Sequence, residues 1–151
     1  MAEPFGLAAS IFATIQIADT IITYCRHFIE TARDAPSDAY VIHAEISATR
    51  SFFDSWRSMS QANNDLYERL QSLDEKAGPI EGCRRLMREL EKLITADEAN
   101  TLVGAQSGRG KLKKSLAALK SPLKAGKAMK MLQQLNGYKA SISMAMTTES
   151  M

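Results

Sequence analysis

Two histidines, two cysteines and scattered carboxylates are the groups here that could carry acid–base, nucleophilic or metal chemistry. His27 and His43 show neither metal-ligand nor triad spacing, and both read as surface helix residues. No HExxH, CxxC pair or nucleophile elbow occurs in the 151 residues. Cys25 and Cys83 sit in apolar helical patterns, as buried free thiols of a reducing compartment do. The acidic pairs Glu89/Glu91 and Asp97/Glu98 lie among basic neighbours and read as solvated charges. Gly104-Ala-Gln-Ser-Gly-Arg-Gly-Lys-Leu112 suggests a phosphate loop, yet the spacing from Gly104 to Gly110 is one residue too long. Leu112 replaces the required Ser or Thr, and no strand precedes the run. A flexible basic linker is the better reading. Enzymatic activity, a metal and a cofactor are therefore not expected.

The chemistry left is that of surfaces. From Pro4 to Ala18 the chain carries no charge, and most of this run is apolar, small or β-branched. Such a helix is either buried on most sides or able to leave the protein for a membrane. A secretory signal needs basic residues ahead of its apolar core, and only Met1, Ala2 and Glu3 stand there. A bilayer span needs roughly 20 apolar residues, whereas Asp19, Thr20 and Thr23 interrupt the run. Ala2 in place of Gly removes N-myristoylation. A leader and a constitutive transmembrane anchor are thus not expected.

The net charge of +2 conceals a polarity. Residues 1–75 hold 11 acidic and 5 basic side chains; residues 76–151 hold 6 acidic and 14 basic ones. No Asp or Glu falls between Ala99 and Thr148, where Arg109, Lys111, Lys113, Lys114, Lys120, Lys124, Lys127, Lys130 and Lys139 cluster. Two readings fit: basic helices packed beside acidic ones, or attraction to an anionic surface, lipid or nucleic acid.

The elements that position these residues are helices throughout, since apolar residues recur at helical spacing and no run alternates with period two. A first helix is predicted over about 4–31, with a stripe of Ile11, Ile15, Ala18, Ile22, Cys25 and Ile29. Phe12, Ile17, Ile21 and Phe28 widen that stripe. Asp34 to Ser37 forms a turn, with Ser37 or Asp38 as N-cap. One long helix is predicted over about 38–76, on the stripe Val41, Ala44, Ala48, Phe52, Trp56, Met59, Ala62, Leu66, Leu70 and Leu73. Gly78-Pro79 ends it. A third helix follows over about 79–95, on Cys83, Leu86, Met87, Leu90, Leu93 and Ile94. Residues 96–110 read as a polar connection and 111–119 as a short accessory helix. Ser121-Pro122 then starts a last helix, about 122–148, carrying Ala128, Met131, Leu132, Leu135, Tyr138, Ile142 and Ala145 on one face. The fold class is all-α, an antiparallel helical bundle of four main helices plus a short accessory helix, in one domain over 1–151.

These residues resemble a known family. Pro4-Phe-Gly-Leu-Ala-Ala-Ser-Ile-Phe-Ala13 resembles the usual opening of the HeLo-like N-terminal domain of fungal STAND (NOD-like) receptors and related cell-death proteins. Tyr24-Cys-Arg26 followed by Asp34-Ala-Pro-Ser-Asp38 resembles its first inter-helix turn. Glu45-Ile-Ser47 with Phe52-Phe53 resembles its second helix, and Pro79-Ile80, Cys83 and the Leu86/Leu90/Leu93 stripe its third. Leu119-Lys-Ser-Pro-Leu-Lys124 resembles the element before its last helix, with Ser121 where tryptophan is common.

The resemblance implies a cell-death effector domain that works in fungal innate immunity or heterokaryon incompatibility. Such a domain rests in the cytoplasm as the N-terminal part of a larger protein. A nucleotide-binding or amyloid-motif region C-terminal to it would bring copies together. The homo-oligomer would then reach the plasma membrane and permeabilise it. On this reading Phe5, Gly6, Leu7, Ala8, Ile11, Phe12 and Ile15 enter the membrane. Arg109, Lys111, Lys113, Lys114, Lys120, Lys124 and Lys127 hold anionic lipid headgroups. Nucleic acid is not an expected partner. The alternative is a homotypic or adaptor interaction domain with no direct membrane activity.

Overall fold

The computed structural model describes residues 6–31, 36–74, 78–101 and 122–148. They form five helices: α1 (Gly6–Thr31), α2 (Ser37–Ala62), α3 (Asn64–Leu73), α4 (Pro79–Thr101) and α5 (Pro122–Thr148). No strand occurs among the described residues. The accessory helix expected over 111–119 lies outside them, as does most of the connection expected over 96–110.

The third helix runs to Thr101 instead of ending near Thr95. Ala96 and Ala99 favour helix, and no Gly or Pro intervenes to stop it. The N-cap expected at Ser37 or Asp38 falls one residue earlier. Pro36 occupies it with φ −59° and ψ 143°, and no side chain caps the end. The carbonyl of Pro36 accepts the first turn's bond from the Ala39 N–H at 3.0 Å.

The single helix predicted over 38–76 is divided. Asn63 leaves helical geometry, at φ −143° and ψ 113°, and serves both as C-cap of α2 and N-cap of α3. Its Oδ1 accepts from the backbone N–H of Asp65 at 3.0 Å and of Leu66 at 3.4 Å. These satisfy two of the donors that a helix start leaves open. Asn63→Ala is expected to cost about 1 kcal/mol through the lost cap, and Asn63→Asp to cost little, as read by urea unfolding.

The buried face of α2 also differs from the predicted stripe. Ala39, Ile42, Ile46, Thr49, Phe53 and Ser60 point inward. Val41, Ala44, Ala48, Met59 and Ala62 are exposed, and Phe52 and Trp56 are half-buried. Thr49 and Ser60 can sit inside because their hydroxyls donate to the carbonyls of Glu45 at 2.8 Å and Arg57 at 2.9 Å.

The core is a helical bundle in which α1 packs on α2 and α4, and α5 packs on α4 and α2. Helix α3 touches α2, α4 and α5. Leu7, Ile11, Ile15, Ile21 and Phe28 of α1 meet Ile42, Ile46 and Phe53 of α2, Ile80, Met87, Leu90 and Ile94 of α4, and Leu132, Leu135 and Ile142 of α5 in one cluster. Phe53 and Phe52 add an edge-to-face ring pair at 5.3 Å. Polar ties link the surface: Asp19 pairs with Arg50 across α1 and α2, and the Asn136 amide donates to Glu45 at 3.1 Å across α5 and α2.

Helices α4 and α5 come close together at Gly82. Gly82 is buried, and a Cβ there would stand 2.5 to 2.8 Å from ring atoms of Tyr138. The missing side chain is what lets the ring lie against the α4 backbone.

Candidate functional site

Helix α1 carries the apolar residues expected to act on a membrane, and the fold sorts them onto two faces. Leu7, Ile11 and Ile15 are in the core, Leu7 at 2% and Ile11 at 1% exposure. Ala8, Ala9 and Phe12 are on the surface, Phe12 at 52%. The expectation that Phe12 widens the buried stripe is therefore overturned. Ser10 and Thr14 take inward positions in this part of the helix, so Phe12 is turned away. Gly6 is half-buried with open space where its Cβ would be. Phe5 lies outside the described residues. Among the described residues, α1 alone is long and apolar enough to cross a membrane, a test that a soluble protein's core helix also passes.

The basic residues divide differently. Arg109, Lys111, Lys113, Lys114 and Lys120 lie outside the described residues. Lys124 is half-buried and Lys127 exposed on α5. Lys127 lines a groove of about 410 Å³ with Met131 of α5 and Glu89, Lys92 and Leu93 of α4. Arg85, Arg88 and Lys92 form an exposed row on α4, and Lys130 is exposed on α5. Sequence reasoning missed the α4 row. Its signal was there, in cations at i, i+3 and i+7 on the face opposite the leucine stripe.

Sequence reasoning also missed a polar cluster that holds α1. Ser10 is buried at 4% exposure, and its hydroxyl donates to Asp74 Oδ1 at 2.9 Å. The same oxygen accepts from Arg84 Nη1 at 2.6 Å. Arg84 Nη2 reaches Glu81 one turn earlier on α4. Asp74 is the C-cap residue of α3. One hydroxyl thus joins α1, the end of α3 and α4. Burial raises the Asp74 carboxyl above its ordinary range, against the opposing pull of the Ser10 hydrogen bond and the Arg84 charge. Arg84 Nε is buried without a partner.

Cys25 and Cys83 are buried and free. Burial pushes the Cys83 thiol up to about 12, against a small opposing effect of Lys139, so it stays protonated at neutral pH. His27 and His43 are half-buried. No group of three or more His, Cys, Asp or Glu that could hold a metal occurs among the described residues. The methionines split, with Met131 and Met146 in the core and Met144 exposed.

No family model matches the chain, and no curated protein or solved structure matches it either.

Proposed function

We propose that the chain is a HeLo-like effector domain, an antiparallel bundle of four main helices with an accessory helix over 111–119. Clustering of copies releases α1 into a membrane and permeabilises it. One observation supports this above the others. Residues Gly6 to Ala18 are uncharged, yet only one side of them is buried. Released from the core, this segment would present Leu7, Ile11 and Ile15 on one side and Ala8, Ala9 and Phe12 on the other. Such a helix is uncharged on every side, with Ser10, Thr14 and Gln16 as its polar side chains, and suits hydrocarbon better than a charged surface helix does. Gly6, Ala8 and Ala9 would permit close contact between copies. Lys124, Lys127 and the cations between Arg109 and Lys120 would draw the domain to anionic headgroups, each worth on the order of 1 kcal/mol near such a surface.

The test is dye leakage from liposomes with and without anionic lipid, using the chain alone and fused to an oligomeriser. Leakage is expected to require anionic lipid and to fall at least about tenfold in Ala8→Glu/Phe12→Glu. That variant changes exposed positions only, so the fold survives. Lys124→Glu/Lys127→Glu is expected to weaken binding to anionic vesicles. No leakage at any concentration, even from the oligomerised fusion, sinks the membrane mechanism and leaves the adaptor reading.

A further inference from the structure

We propose that the Ser10-centred cluster is a latch that sets how often the N-terminal half of α1 leaves the bundle. This inference deepens the release of α1 and rests on that reading for its consequence at a membrane.

The described hydrogen bonds from Gly6–Ala18 to any other element run through the Ser10 hydroxyl. Thr14, equally buried, donates to the carbonyl of Ser10 within its own helix and ties α1 to nothing else. The next polar tie along α1 is the exposed Asp19–Arg50 pair, which joins it to α2 instead. The first half of α1 therefore depends on burial of Leu7, Ile11 and Ile15, which is non-directional, and on one directional contact.

That contact holds its own opposition. Arg84 Nε is buried with no acceptor, and the Asp74 carboxylate is partly desolvated. Opening would rehydrate both groups, so part of the bonding gained on closure is offset by polar groups left short of water. A fully satisfied network would act as a rivet. This one closes at a small margin, and loss of a single partner shifts it. Glu81 keeps Arg84 in place when the latch opens, since both residues belong to α4 and remain paired within it. The parts that separate are Ser10 on one side and the Asp74–Arg84 corner on the other.

Hydrogen exchange of the full chain, followed by mass spectrometry, tests the latch. In Ser10→Ala, which removes both bonds of the hydroxyl, the amides of residues 7–15 are expected to exchange roughly tenfold faster, the net loss of about one hydrogen bond to a charged group. Exchange in α5 is expected to stay at the wild-type rate. Asp74→Asn retains an oxygen to accept from Ser10 and removes a half-buried charge, so it is expected to exchange no faster than wild type. Unchanged exchange in Ser10→Ala, or acceleration spread evenly over all helices, overturns the latch. Faster exchange of α1 in a protein that never leaks dye keeps the latch and removes the membrane mechanism.

Discussion

Leu7→Glu/Ile11→Glu is expected to abolish the folded state, whereas Phe12→Glu, next to Ile11, is expected to leave stability within about 0.5 kcal/mol of wild type. Leu7 and Ile11 are sealed in the core of the bundle. Truncating a buried Leu or Ile to Ala alone costs about 2–5 kcal/mol. Glutamate adds the burden of a carboxylate in apolar surroundings with no partner. Two such changes exceed much of the roughly 5–15 kcal/mol that holds a domain together. Circular dichroism melts check this directly. A cooperative melt of the double variant close to the wild-type temperature would show that α1 is not packed as described. The contrast also decides how membrane activity must be tested, because buried-face variants of α1 report unfolding before they report lipid contact. Among the described members of the apolar segment, exposed Ala8, Ala9 and Phe12 offer a clean probe.

Gly82→Ala is expected to destabilise the domain by up to about 2 kcal/mol, the balance of overpacking against better helix propensity. An added methyl would enter the Tyr138 ring, where the nearest atoms stand 2.5 to 2.8 Å from the new carbon. The ring must swing away from α4, loosening the α4–α5 contact. In a Tyr138→Ala background the same change is expected to reverse sign and stabilise by up to about 1 kcal/mol, since a helix-interior alanine is then unopposed. The double-mutant cycle should therefore show coupling of about 2 kcal/mol. Stabilisation by Gly82→Ala in both backgrounds would contradict the contact.

The helical class was legible because apolar residues repeat at helical spacing from α1 to α5. The inward face of α4 was also legible, since Cys83, Leu86, Met87, Leu90 and Ile94 have no competing stripe. Helix α2 carries two candidate stripes, and the pattern favoured the wrong one. Thr49 and Ser60 broke the true face in a hydropathy reading. Only three-dimensional geometry shows their hydroxyls satisfied by the preceding turn. The break at Asn63 was hidden for a related reason, because apolar residues keep their phase across it and the capping bonds are local. The Ser10 cluster joins residues 64 and 74 positions apart in sequence. No periodicity encodes such a meeting, and Ser10 looks like one more small residue in an uncharged run.

The departure of Asn63 from helical geometry decides where Asp74 can be. A straight helix over 37–73 would measure about 55 Å, far beyond the end of the 26-residue α1 beside it. Its last turn would project into solvent with nothing to grip. The extended residue makes an elbow instead, and the ten-residue forearm folds back to touch α4 and α5. At its wrist Asp74 meets Ser10, 64 positions earlier in the chain. Grip on the N-terminal half of α1 is thus a matter of leverage. A single asparagine, on neither α1 nor the basic helices, decides from where α1 is held.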